Sequence, residues 1–223
     1  MNINILDIPV FYINMKKDIE KRNHMERLLS EHGFKNFTRI DAVYDSKSGR
    51  RGLSKSQYLA LTQIEPPFIV MEDDCNPKYF VKAIAVPDDA DAVYLGNSAW
   101  GMMDSYSGFF LRYKKVEGYG DLYRIFNMLS SHAILYLSKE YTDACRRMTY
   151  YCAYTAKDPI PMDVPFAQNQ KYYNVYTPNK PLFVQKDFDG KMSNAPAWTD
   201  KRLTDYVVNN QKHQHLYFQD PIV

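Results

Sequence analysis

Three acids stand side by side in "PPFIVMEDDC": Glu72, Asp73 and Asp74, directly after the apolar run from Phe68 to Met71. Carboxylates this close repel one another unless water solvates them or a cation neutralises them. Oxygen donors without a cysteine or histidine pair nearby suit a hard ion, Mg²⁺ or Mn²⁺. Such an ion keeps waters and takes further ligands from a substrate's phosphates. The chemistry expected is therefore a metal–diphosphate site. A solvated acidic loop at a strand end is the competing reading. An aspartyl-nucleophile phosphatase also puts acids at a strand end, but it needs an Asp-x-Asp with a hydroxyl residue following, and here Cys75 and Asn76 follow Asp74. The chain has no Gly-x-x-x-x-Gly-Lys-Ser/Thr loop and no Gly-x-Gly-x-x-Gly turn, so the ordinary nucleoside triphosphatase and dinucleotide readings fall.

The elements that would position these acids alternate. "IPVFYIN" (Ile8 to Asn14) reads as a buried first strand. Met25, Leu28 and Leu29 lie at helical spacing before Gly33, a stop signal. "FTRIDA" is a second strand, "YDSKSGRRG" a mobile basic loop, and "LSKSQYLALTQ" a helix capped by Ser54 and ended by Pro66–Pro67. "FIVM" is apolar on both faces, as in a parallel sheet. "NPKYFVKAIA" is expected to be helical and "DAVYLG" a strand. Further on, "FFLRYKKVEGYGDLYRIF" suggests a hairpin, "SHAILYLSKEYTDACRRM" a strand and a helix, and "KDPIPMDVPFAQNQ" a proline-pinned loop leading into a short helix. "TDKRLTDYVVNN" reads as a last helix capped by Thr199. Alternating strands and helices predict an α/β fold, and ligands in such sheets bind beyond the carboxyl ends of the strands, where the acids stand.

Composition narrows the partners. A net charge of +2 gives no global field to attract nucleic acid. No stretch reaches the ~20 apolar residues of a membrane span. The three cysteines are odd in number and lack a Cys-x-x-Cys pair, which argues against a disulfide framework or structural zinc and for a cytosolic setting. The 19 tyrosines suit sugars and bases as flat ligands, although core positions account for most of them more simply.

Several blocks, in order, resemble the lipopolysaccharide-type glycosyltransferases of family 25. "VFYINMKKDIEKRNHM" resembles the opening strand and helix of that family, "TRIDAVYD" and "LSKSQYLAL" the next blocks, and "FIVMEDDC" its Leu-Glu-Asp-Asp-Val metal motif. "HAILYLSKEYTDACRRM", "IPMDVPF" and "PLFVQKDFDGKMSN" resemble its later blocks, so that the likeness runs from residue 10 to about 194. It extends to glycosyltransferase domains that viruses use to decorate capsid protein, which implies host cytoplasm and a capsid glycan as acceptor. The resemblance implies one GT-A domain over residues 1–223, with a central mixed, mostly parallel sheet flanked by helices. A nucleotide-binding half would cover about 1–100 and an acceptor half about 101–223. It implies a nucleotide-sugar donor, UDP-linked, with Mn²⁺ or Mg²⁺, and a hydroxyl of a glycan or glycoprotein as acceptor.

Residue roles come from that likeness. Asp74 is expected to ligate the metal, with Asp73 ligating it too or, like Glu72, holding ribose or sugar hydroxyls. Asn14 and Asp41 would meet base or ribose, Arg22 the diphosphate or base, and Gln185 and Ser193 donor or acceptor. Asp163, in a loop stiffened by Pro159, Pro161 and Pro165, is the expected general base, and capping of the following helix is its alternative. Lys47, Arg50 and Arg51 could close over phosphates. His132, His213 and His215 are lesser candidates. A sugar nucleotidyltransferase would need a glycine-rich loop that "NMKKDIEKR" lacks. A non-catalytic nucleotide- or glycan-binding module stays open.

Overall fold

The computed structural model describes residues 1–102, 107–108, 111–188 and 199–207. Eight strands form its main sheet: β1 (Val10–Asn14), β2 (Phe37–Asp41), β3 (Phe68–Glu72), β4 (Ala92–Tyr94), β5 (Tyr113–Lys115), β6 (Leu122–Ile125), β7 (Ala133–Tyr136) and β8 (Val175–Pro178). Their order across the sheet is β5-β6-β8-β4-β7-β3-β1-β2. β1 pairs in parallel with β2 and β3, and β4 with β8; the other four pairings are antiparallel. The fold is α/β as expected, but by pairing the sheet is mixed rather than mostly parallel, because β7 inserts antiparallel between β3 and β4.

β3 shows why the central strands carry no polar face. Ile69 and Met71 enter one core with Val10, Tyr12, Val93 and Leu135, against helix α1 (Ile19–Glu31). Phe68 and Val70 enter the other with Phe11, Ile13, Tyr94 and Tyr136. That second core also holds Ala60 and Leu61 of α2 (Gly49–Leu61), Tyr141 and Cys145 of α3 (Lys139–Tyr150), and Phe166 of α4 (Asp163–Asn169). Full burial stabilises by about 2 kcal/mol per side chain of this size, so the strand is fixed until the acids interrupt it.

The hairpin, the strand–helix pair and the short α4 stand where the sequence puts them. β5 and β6 pair with Tyr113 opposite Ile125, and their connection uses Gly118 (φ 79°) and Gly120 (φ 62°), where a side chain would be strained. Ser138 caps α3 by accepting from the Tyr141 N–H at 3.2 Å.

Four expectations are corrected. "NPKYFVKAIA" is extended, not helical: Cys75–Pro77 pairs antiparallel with Phe183–Gln185, and Ala83–Ala85 with Asn2–Asn4. Cross-chain bonds there satisfy backbone groups that a helix would have satisfied internally. Ser48 rather than Ser54 caps α2, accepting from the Arg51 N–H at 3.3 Å, while the Ser54 hydroxyl donates to the Arg50 carbonyl. The expected mobile loop is tied down and ends early: Asp45 accepts from the N–H groups of Lys47 and Ser48 and pairs with Lys55, and Arg50 and Arg51 already belong to α2. Thr199 does not cap a long helix. Its hydroxyl accepts from the Gln185 N–H at 3.0 Å, and the described chain continues from there only into a short 3₁₀ turn, Leu203–Val207.

Candidate active site

β3 runs into a tight turn at Asp73–Asp74 and the chain returns as Cys75–Pro77. The turn is pinned by three hydrogen bonds, two of them to one carbonyl. The Glu72 N–H donates to the His132 carbonyl at 2.8 Å, the Cys75 thiol donates to the same oxygen at 2.8 Å, and the Lys186 N–H donates to the Asp74 carbonyl at 2.8 Å. The three acids therefore have fixed and different surroundings.

Asp73 accepts from Asn14 Nδ2 at 2.8 Å and faces Lys21 Nζ at 3.4 Å. Asn14 ends β1 and is buried; its Nδ2 also donates to the Asp18 carbonyl. Glu72 accepts from the Ser131 hydroxyl at 2.7 Å. Burial, and then the Asp74 charge, push its carboxyl up to about 8, against the Ser131 hydrogen bond; Asp163 and Asp73 add smaller upward pushes. Asp74 is 5% exposed. Its Oδ2 meets Gln185 Nε2 at 3.4 Å, and its buried Oδ1 makes no hydrogen bond. Burial lifts its carboxyl to about 6 although Lys21 opposes.

Two cavities meet at Glu72. One, about 430 Å³, lies between β1, the Ala42–Asp45 segment and α2, and reaches Asp73 and Glu72. The other, about 390 Å³, is lined by Glu72, Ser98, Trp100, Ser131, His132, Asp163, Gln185 and Thr199. Asp163 is the first residue of α4 rather than its cap, and Met162 occupies the cap position. Burial raises its carboxyl, opposed by the N–H groups of Asp163 and Val164 and then by Arg50.

The other expected residues divide. Gln185 stands at the site, touching Asp74 from the second cavity. Arg22 does not reach the acids; it pairs with Glu26 at 2.8 Å on the α1 surface. Asp41 ends β2, is 69% exposed in its side chain and pairs with Arg39, whose other nitrogen reaches Asn14 Oδ1 at 3.4 Å. Arg51 donates to the Ala156 and Lys157 carbonyls, at 3.0 and 3.1 Å, and is committed to packing. His132 lines the second cavity. A carbonyl only accepts, so its Nε2 carries the proton toward Phe183 O at 3.3 Å, and Nδ1 accepts from Ser130 at 3.0 Å. Burial lowers its imidazole to about 4. Ser193, His213 and His215 lie outside the described residues.

Lys21 and Ser131 join the site without having been expected there. One signal was available for the first. Arg22 and Glu26 stand four apart, a helix pairing distance, which commits Arg22 outward and turns Lys21 toward the acids.

Among the described residues, no three His, Cys, Asp or Glu groups converge as a metal cage. The donor set still fits a hard ion of the kind completed by phosphates, which needs only one or two protein carboxylates. Asp74 offers an unpartnered buried oxygen, and Asp73 stands next to it in the chain. No protein-family model matches the chain, and no curated protein matches it.

Proposed function

We propose that this chain is a metal-dependent glycosyltransferase of the GT-A type, moving a sugar from a UDP-linked donor to a hydroxyl of a glycan or glycoprotein. The observation that carries the reading is the pair of cavities sharing Glu72, one reaching Asp73 and the other Asp163. Two cavities on either side of one carboxyl offer room for a donor and an acceptor that must meet. The resemblance to family 25 and the acids at the carboxyl end of β3 support the same assignment.

In this reading Asp74 and Asp73 hold Mn²⁺ or Mg²⁺, which when bound supplies charge neutralisation for a departing diphosphate. Asn14 keeps Asp73 oriented through its 2.8 Å hydrogen bond. The nucleotide occupies the cavity between β1 and α2. Before an ion is bound, burial and the Asp74 charge raise the Glu72 carboxyl, which favours its neutral form and relieves repulsion in the triplet. Asp163 accepts the proton of the acceptor hydroxyl as it attacks; its burial raises its proton affinity, which suits a general base.

Melting curves with UDP, GDP and ADP, each with Mn²⁺ or with excess chelator, test the reading. UDP with Mn²⁺ is expected to raise the melting temperature most, since a ligand that binds only the folded state stabilises it by mass action. Asp74→Asn is expected to abolish that metal-dependent increment while still folding. Equal shifts for the three nucleotides, or an undiminished shift in chelator, would overturn it.

A further inference from the structure

Lys21, in the first turn of α1, supplies the one ion pair that the three acids make among the described residues. Its Nζ stands 3.4 Å from Asp73 Oδ1, while Asn14 Nδ2 donates to Oδ2 at 2.8 Å, so both oxygens of this carboxylate are engaged. Of the two expected metal ligands, Asp73 is the one open to approach. It lines the cavity between β1 and α2, whereas Asp74 is buried. A cation entering from that cavity therefore meets an oxygen already held by a cation, and like charges across so short a span repel.

The pair is built to yield. Its 3.4 Å separation is longer than the 2.9 Å of Lys55 and Asp45, and a tight charge-assisted bond closes to about 2.7–2.9 Å. A lysine ammonium rides on a flexible stem. Asp18, the residue before α1, makes no capping bond with its side chain, and its charge acts on the same ammonium. From these features we infer that Lys21 is a resident counter-ion of the acidic turn, and that a divalent ion takes Asp73 only by displacing it. The ion is then held tightly only together with an anionic ligand, a diphosphate, that offsets the displaced charge. Lys21 is a positioning residue in this scheme and not a ligand. The inference rests on the metal-dependent reading of the site and adds an order of loading to it: metal and nucleotide enter as one complex.

The test counts free Mn²⁺ by electron paramagnetic resonance as the full chain is titrated, with and without saturating UDP, in the wild type, Lys21→Met and Lys21→Arg. Methionine keeps an apolar stem and drops the charge. Melting temperatures check that the variants fold, and Lys21→Gln replaces Lys21→Met if that variant does not. Without nucleotide, Lys21→Met is expected to bind Mn²⁺ roughly tenfold more tightly than the wild type, and Lys21→Arg to stay within about threefold of it, because a nearby like charge is removed in the first and kept in the second. With UDP saturating, the gain in Lys21→Met is expected to shrink. Equal Mn²⁺ affinity in the wild type and Lys21→Met overturns the inference. So does weaker affinity in Lys21→Met, which would make Lys21 a partner that only orients Asp73. The same gain with and without UDP overturns the order of loading. Mn²⁺ binding that is alike in all three proteins refutes the role of Lys21 alone, whereas no Mn²⁺ binding in any of them, with or without UDP, refutes the metal-dependent reading and this inference with it.

Discussion

Glu72 keeps its proton to higher pH than Asp74, the other raised carboxyl of the triplet. Its carboxyl is lifted from the usual 4.5 to about 8, first by burial and then by Asp74. Across that interval the folded protein binds more protons than the unfolded chain, so stability falls as pH rises. His132 acts with the opposite sign. Burial lowers it from 6.5 to about 4, and it removes stability as pH falls through that range. Of these two groups only Glu72 changes charge between pH 6.5 and 8. Urea midpoints are expected to drop over that interval, and Glu72→Gln, which still accepts from Ser131, to flatten the drop. Parallel slopes for the two proteins would mean that Glu72 is already ionised when folded. Asp163 gives a kinetic counterpart. Asp163→Asn is expected to lower transfer by ~100-fold or more, the scale of losing a general base, with donor affinity and melting temperature unchanged. Transfer at the wild-type rate would leave Asp163 a helix-start residue only.

Helix α2 shows what caps decide at the level of an element. Ser48 turns the chain out of the Asp45 cluster, whose backbone forms one wall of the cavity between β1 and α2. Ser48→Ala is expected to cost about 1 kcal/mol, the usual value of an N-cap. Ser54→Ala removes only a hydroxyl bonded back to its own helix, to Arg50 O, and should cost less. Chemical denaturation of both variants gives the comparison, and a larger loss at Ser54 would reverse the assignment. The elements legible in the sequence were those set by local pattern. β3 could be read because both of its faces are apolar, α1 from the spacing of Met25, Leu28 and Leu29, and the β5–β6 hairpin from its glycines. Where pairing with distant chain decided the outcome, the pattern misled. Cys75–Pro77 is extended because Phe183–Gln185, more than a hundred residues later, lies beside it. The candidate site divides the same way. The acids and Asp163 announced themselves by type and position, and Gln185 by its block. The Asn14–Asp73 bond spans 59 residues and is a property of parallel pairing that no local window contains. Asp41 pairs with Arg39, two residues before it on the same strand face, and its side chain stays largely exposed at the end of β2.

At the scale of the molecule, one sheet separates two cores, and the acidic turn sits where strands from both halves of the chain meet: β1 and β3 from the first, β7 and the Phe183–Gln185 ribbon from the second. Neighbour order across the sheet could not be read from the sequence, because β7 inserts between two earlier strands and leaves no local trace of doing so. The junction at Cys75 has a further consequence. That thiol directly follows the acids, is wholly buried and bonded to His132 O, and burial holds it well above its ordinary range. An alkylating reagent can reach it only after the two-stranded ribbon peels open, so Cys75 is a built-in clock for breathing of the acidic turn. Cys145 is packed within α3 and the second core, so it reports a deeper opening, and peptide mass spectrometry distinguishes the two. Local openings are cheaper than global ones, so iodoacetamide is expected to label Cys75 several-fold faster than Cys145. If the proposed donor site is right, UDP with Mn²⁺ should slow Cys75 more than Cys145, because the acids it would engage lie next to Cys75. Identical rates at both thiols, unaltered by nucleotide, would mean that the turn opens only when the whole sheet does.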